Sequence, residues 1–230
     1  MSPLLEVNNL CYSYPDGTVA LNGVSLRLDK DENVAIFGPN GSGKTTLLLH
    51  LNGTLMGTGR ISIAGISVTR NTLKEIRRAV GIVFQDPDSQ LFMPTVLEDV
   101  MFGLLNLGWS RQDAQVRALK ALTEVGLSSE DGKRPPFHLS AGEKRRVALA
   151  GVLVMEPKLL ILDEPTSWLD PPGQRGLIDL LRQLPQPKLI ATHDAAFAAA
   201  LTNRAVFLKA GRVLADGLLR DIIERFDWRC

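Results

Sequence analysis

Eight residues, Gly38-Pro39-Asn40-Gly41-Ser42-Gly43-Lys44-Thr45, constrain this chain more than any other feature. They follow Asn33-Val34-Ala35-Ile36-Phe37, which reads as a short buried strand, and run into Thr45 to Leu51, which reads as helix. Glycines at the first, fourth and sixth places let successive backbone N–H groups turn inward into an anion-binding nest. The helix that follows adds the positive end of its dipole. In such a loop the lysine, Lys44, reaches β- and γ-phosphates and the Thr45 hydroxyl ligands Mg²⁺, with Thr46 next to it in the first helical turn. The competing reading is a glycine-rich turn with no ligand. A chance match to G-x-x-x-x-G-K-[ST] in a chain of this length is on the order of one per cent, before the strand–helix context is required. The segment is read as a cradle for nucleotide phosphates.

Before the cradle, from Leu4 to Phe37, strand and turn signals dominate: Pro15-Asp16-Gly17 and Asn22-Gly23 punctuate, and Val24-Ser25-Leu26-Arg27-Leu28 alternates. Arg60 to Gly65 predicts a further half-exposed strand and hairpin. The middle changes character. Pro94-Thr95-Val96-Leu97-Glu98 and Ser110-Arg111-Gln112-Asp113 each offer a hydroxyl N-cap with an acid three residues on, and the second helix should stop at Gly126. Residues 87–156 therefore read as a helical insertion between strand-rich segments 1–86 and 157–230. After it, Leu159–Leu162, Lys188–Ala191 and Ala205–Leu208 alternate with helical patterns, as in a mostly parallel α/β sheet.

Two of those strands end in chemistry. Leu159-Leu160-Ile161-Leu162 leads into Asp163-Glu164-Pro165, and the carboxyl ends of parallel strands face the ligand. Asp163 is then placed to hold Mg²⁺, and Glu164 to orient and deprotonate the water that attacks the γ-phosphate. Simple capping of the next turn is the alternative for both acids. Lys188-Leu189-Ile190-Ala191 leads into Thr192-His193-Asp194, which makes His193 a γ-phosphate sensor candidate as part of the same set. Phosphoryl transfer depends mostly on positioning and charge stabilisation, so these parts suffice for hydrolysis.

Leu139-Ser140-Ala141-Gly142-Glu143-Lys144-Arg145-Arg146-Val147 opens a helix and, as structure alone, is a capping box. It stands about twenty residues before the acidic strand, and here the chain resembles the nucleotide-binding subunits of ABC transporters with their Leu-Ser-Gly-Gly-Gln signature. The resemblance spans almost the whole chain, in the family's order. It implies that Tyr14 stacks on adenine and that Gly38, Pro39, Asn40, Gly41, Ser42, Gly43, Lys44, Thr45 and Thr46 bind ATP. It matches Gln85 to the Q-loop glutamine, a catalytic and Mg²⁺-binding position alongside Thr45 and Asp163. Ser140, Ala141, Gly142 and Glu143 match the signature that contacts the nucleotide held by the other subunit. Glu164 matches the catalytic base, His193 the switch histidine, and Ser167-Trp168-Leu169-Asp170 the D-loop with its Asp170. The implied fold is α/β: a P-loop NTPase (RecA-like) core with an antiparallel β subdomain and an inserted α-helical subdomain, all one ABC ATPase domain. Two residues depart from the pattern. Ala141 replaces a glycine where the backbone should already be helical and tolerant of a methyl. Trp168 replaces a small D-loop residue, and either packs across the dimer or loosens it.

A finer similarity, over Val83-Phe84-Gln85-Asp86-Pro87-Asp88-Ser89-Gln90-Leu91-Phe92, is to the ATPases of energy-coupling-factor importers, above all the cobalt and nickel branch. It implies an ATP- and Mg²⁺-dependent motor working as a head-to-tail dimer with a second ATPase subunit. A transmembrane coupling subunit would dock near Asp86 and Asp88, where Glu98 and Asp99 also fall. The cargo would be cobalt or another divalent ion, with nickel or a vitamin as alternatives; a non-transport ABC ATPase and a scaffold without turnover are the rivals. Charge agrees with a protein partner rather than nucleic acid, because 26 basic residues nearly cancel 25 acidic ones. Only Cys11 and Cys230 could pair, so no disulfide framework is expected. The longest apolar stretch, Val147 to Met155, is about half of a membrane span. The expected location is peripheral, on the cytoplasmic face of the cell membrane.

Overall fold

The alternation early in the chain becomes an antiparallel sheet in the computed structural model, which describes residues 3–228. Cys230 lies outside the described residues. β1 (Leu5–Ser13) and β2 (Val19–Leu28) form a hairpin closed by the Gly17 N–H donating to the Tyr14 carbonyl at 2.9 Å. Asn22-Gly23, expected to end a strand, lies inside β2 instead. The register slips between Leu10 and Tyr12 opposite it, and Gly23 takes φ +75°, so the pair makes a bulge rather than a turn. After β3 (Val34–Phe37) and α1 (Lys44–Leu51), β4 (Thr58–Ile63) and β5 (Ile66–Ser67) complete this sheet in the order β2-β1-β4-β5.

The next elements are α2 (Leu73–Ala79), β6 (Val80–Val83), α3 (Val96–Asn106), α4 (Arg111–Glu124) and α5 (Ala141–Leu153). Then come β7 (Leu159–Asp163), α6 (Pro171–Gln183), β8 (Lys188–Ala191), α7 (Ala195–Leu201), β9 (Arg204–Lys209), β10 (Arg212–Leu218) and α8 (Leu219–Arg225). A second sheet runs β10-β9-β3-β8-β7-β6. β3 is parallel to β8 and to β9, β7 is parallel to β8, and β10 returns antiparallel. Every residue of β3, β7 and β8 is buried, which explains why they read as unbroken apolar runs rather than alternating ones. Because β8 lies between β3 and β7, the loops leaving all three strands emerge side by side.

The chain divides into two compact units. The first runs through Ile82 and takes in Lys158–Glu164 and everything from Leu184 onward; it holds the strands of both sheets as far as β6. The second comprises Val83–Pro157 and Pro165–Gln183, with α3, α4, α5 and α6. It is wider than the 87–156 insertion read from the pattern, since α6 belongs to it although α6 follows β7. Spacing reveals that α6 has an apolar stripe, Leu177, Leu180 and Leu181, but not which neighbours bury it. The helix starts form as the sequence requires: Thr95 Oγ1, Ser110 Oγ and Ser140 Oγ each accept the N–H three residues on. No helix among the described residues is long and apolar enough to cross a membrane.

Candidate functional site

The phosphate loop leaves the end of β3 with Gly38 at φ +153°, Gly41 at +75° and Gly43 at +105°, the last two left-handed. At Gly43 a Cβ would come within 2.5 Å of the Ala20 carbonyl, and at Gly38 within 2.0 Å of that of Leu208, so neither position admits a side chain. No side chain caps α1, and its first turn carries no acid, which leaves its leading amides for an anion. Lys44 Nζ bridges the loop, donating to the carbonyls of Gly38 at 2.7 Å and Pro39 at 3.4 Å. Ser42 Oγ is buried there without a hydrogen-bond partner among the described residues, a donor that a phosphate oxygen would satisfy.

Thr45 Oγ1 donates to Asp163 Oδ2 at 2.7 Å across 118 residues of sequence. A hydroxyl and a carboxylate brought together are a hard-oxygen donor set of the kind that would suit Mg²⁺. One residue on, Glu164 adopts φ +43°, a strained conformation for a residue with a side chain. Its N–H is held by the Ala191 carbonyl at 2.8 Å, and its carboxylate turns toward the β8 loop. Glu164 Oε2 accepts both the His193 backbone N–H at 3.2 Å and His193 Nδ1 at 2.7 Å. Glu164 Oε1 lies 3.9 Å from Lys44 Nζ, with both side chains nearly buried. A carboxylate only accepts, so the proton resides on Nδ1, and Nε2 donates only when the ring is protonated. The His193 side chain is 61% exposed, leaving the ring accessible. Tyr14 follows β1, stands edge-on to Tyr12 at 5.1 Å and shares a 2.9 Å hydrogen bond with the hydroxyl of Thr46.

The remaining candidates belong to the helical unit. Gln85 Nε2 donates to Ser167 Oγ at 3.4 Å. Ser140 and Glu143 form the expected capping box. Glu143 is held further by Arg134 at 2.7 Å, and these bonds with Ser140 and Arg134 keep its carboxyl below the usual range. Ala141 is the first residue of α5, so its backbone is helical as expected, and a Cβ built at Gly142 would meet the Leu169 side chain at 3.9 Å. Trp168 is exposed with φ +63°, and Asp170 accepts the Gly173 N–H at the start of α6. Asp86 and Asp88 sit on a short 3₁₀ turn where Asp88 pairs with Lys144 at 2.6 Å, yet its side chain stays 61% exposed. Glu98 and Asp99 are half-buried and engaged in local hydrogen bonds. Glu98 caps α3 with Thr95, and Asp99 Oδ1 accepts the N–H groups of Phe92 and Met93 at 3.0 Å.

One residue of this unit escaped the sequence reading. Arg145, only 2% exposed, donates to the carbonyls of Phe84 and Gln85 and so fastens the Q-loop backbone to α5. The signal was present: Ala148 and Leu149, three and four residues on, are buried, which puts Arg145 on the inner face of its helix.

Residues 21–167 match the family described as "ABC transporter". The chain is 44% identical over 220 residues, 93% of its length and 70% of the relative's, to the energy-coupling factor transporter ATP-binding protein EcfA of Methanothermobacter thermautotrophicus. Among solved structures it resembles cbiO1 of Clostridium perfringens, part of the ABC transporter complex cbiONQ, with a TM-score of 0.86. The two are 39% identical, and the match covers 99% of this chain and 93% of that one. It also resembles the ATP-binding cassette MJ0796, seen as a post-hydrolysis dimer with ADP and Pi, with a TM-score of 0.82. Here the identity is 30%, over 94% and 99% of the two chains. A phosphate loop beside paired carboxylates, in this fold and with these relatives, makes the chain a member of the ABC transporter family, an ATP-hydrolysing nucleotide-binding subunit.

Proposed function

We propose that this subunit is the motor of an energy-coupling-factor importer, and that its own reaction centre is Lys44, Thr45, Asp163, Glu164 and His193. The observation that carries the catalytic reading is the chain of contacts from Thr45 to Asp163 and from Lys44 through Glu164 to His193. Lys44 leaves the Gly38 and Pro39 carbonyls for the β- and γ-phosphate oxygens as ATP enters. Thr45 and Asp163, with Gln85, would hold Mg²⁺, which when bound would supply charge neutralisation on the phosphates. Glu164 takes the proton of the attacking water, and His193 keeps the carboxylate aimed while Nε2, when the ring is protonated, donates to the γ-phosphate. ATP lies between two such subunits, homodimeric or paired with a close relative, with Ser140, Ala141, Gly142 and Glu143 facing the nucleotide of the other subunit.

The importer reading rests on the similarity to EcfA and to cbiO1, and the cargo reading, cobalt or another divalent ion, on the segment from Val83 to Phe92. Nickel or a vitamin is the second reading for the cargo. A transmembrane coupling subunit docks near Asp86 and Asp88 on the cytoplasmic face of the membrane. Exposed Phe92 and Phe102, packed edge-to-face at 4.9 Å, offer apolar contact in the same helical unit. An arginine on that partner would share Asp88 with Lys144. The test is co-expression with the membrane subunits, affinity isolation, and metal uptake with and without ATP, for wild type, Asp86→Asn/Asp88→Asn and Lys144→Met. Loss of assembly in the double variant but not in Lys144→Met is expected. Equal recovery and uptake in all three would refute the docking site, and ATP-independent uptake would refute the motor.

A further inference from the structure

Beyond α8, the chain turns at Asp227, which takes φ +47°, and brings Trp228 back against the α/β unit. The Trp228 indole Nε1 donates to the His193 carbonyl at 3.1 Å. Its ring stands edge-on to Phe207 at 5.4 Å and 6.2 Å from Phe37. Phe37 is the last residue of β3, immediately before Gly38, so one side chain touches both the root of the phosphate loop and the backbone of His193. The platform beneath is well built. Phe226 stacks on Phe207 at 3.7 Å, and Leu219 and Ile222 of α8 are buried with Phe37, Ala198, Ala205 and Phe207. None of the motifs assigned above contains Trp228.

His193 needs such a tether. Only three residues, Thr192 to Asp194, join β8 to α7, and the imidazole is mostly exposed. Its N–H and Nδ1 both meet Glu164, and its carbonyl, which accepts from Trp228, is a further backbone handle for setting how the loop sits beside the phosphate loop. An indole N–H is a donor with no acceptor capacity, which suits it to that carbonyl and to no competing role there.

We infer that Trp228 is a positioning residue for ATP hydrolysis, holding the His193–Glu164 pair in register with the phosphate loop. The inference rests on the assignment of Glu164 and His193 proposed above. Trp228→Phe keeps the ring contacts and removes only the N–H donor. One neutral hydrogen bond lost from positioning corresponds to about a three- to tenfold fall in kcat. KM for ATP should stay within about twofold, because the phosphate loop itself is untouched. Single-turnover hydrolysis at enzyme excess measures wild type, Trp228→Phe, His193→Ala and the double variant, with melting curves recorded for each. The expected result is a kcat loss in Trp228→Phe that shrinks on the His193→Ala background, since the imidazole is gone and only the backbone N–H of residue 193 still meets Glu164. A wild-type kcat in Trp228→Phe, or the same loss repeated in full on the His193→Ala background, would overturn the inference. Undiminished turnover in His193→Ala would instead overturn the site assignment beneath it.

Discussion

Glu164→Gln separates binding from chemistry in this subunit. The amide oxygen can still take both donors of His193 that Oε2 now accepts, so the side chain should keep its place. What changes is the charge facing Lys44 across 3.9 Å. At an effective dielectric of about 20, unit charges at that distance attract by about 4 kcal/mol. Lys44 forfeits part of this attraction when its ammonium swings onto the phosphates, and the wild-type carboxylate also repels the γ-phosphate. Glutamine removes both penalties, so ATP affinity should hold or rise by up to about tenfold. The chemical step has no such relief, because an amide cannot accept the proton of the attacking water. Loss of a general base costs about 10²–10⁴-fold in rate, or about 3–5 kcal/mol of barrier. Equilibrium binding of a fluorescent ATP analogue and single-turnover hydrolysis of labelled ATP measure the two effects. Turnover within about threefold of wild type would refute Glu164 as the base. Affinity weakened by more than about tenfold would refute the electrostatic argument.

Three further outcomes follow from buried charges. Lys188 is 3% exposed with its ammonium on the carbonyls of Leu184 and Gln186, and burial pushes its pKa down to about 8 from 10.5. Between those values the unfolded chain binds the extra proton, so stability rises with pH through that window, and the penalty is complete below it. Urea denaturation should therefore show wild type gaining about 2–3 kcal/mol on Lys188→Met between pH of about 7 and 10.5, and a flat difference would contradict it. Burial raises the Asp99 carboxyl, so the folded state holds the proton longer and wild-type stability is lost as pH climbs through the raised value. Asp99→Asn retains the acceptor for Phe92 and Met93, and its stability relative to wild type should improve from acid to neutral pH; the opposite trend would refute the sign. Arg145→Met strips a charged donor from the Phe84 and Gln85 carbonyls and should cost about 2–4 kcal/mol, read as a lower melting temperature, with an unchanged melt refuting the anchor.

Much of the architecture was legible because its causes are local. A hydroxyl three residues before an acid and ahead of a helical pattern is a local N-cap signal, and Thr95, Ser110 and Ser140 all act on it. The strands Val34–Phe37, Leu159–Asp163 and Lys188–Ala191 are apolar except at Asp163 and Lys188, because every one of their residues is buried. The phosphate loop was legible because Gly41 and Gly43 take left-handed dihedrals within the loop itself, while the close approach of Leu208 and Ala20 to Gly38 and Gly43 is tertiary. Asn22-Gly23 shows the limit: the same dipeptide serves a turn or a bulge, and the pairing of β1 with β2 decides.

By itself, then, the sequence determined which backbone segments form, where the capped helices begin, and which side chains are the candidates for phosphate and proton chemistry. The tertiary structure alone decided which of them meet. Thr45 reaches Asp163 and Glu164 reaches His193 because β8 lies between β3 and β7, an order that no short window of residues encodes. Arg145 on the Q-loop carbonyls and Trp228 on the His193 carbonyl are bonds to main-chain oxygens, which every residue possesses. A pattern of side chains cannot announce such partners, because the acceptor has no residue-type signature and only the packing of the folded chain selects it.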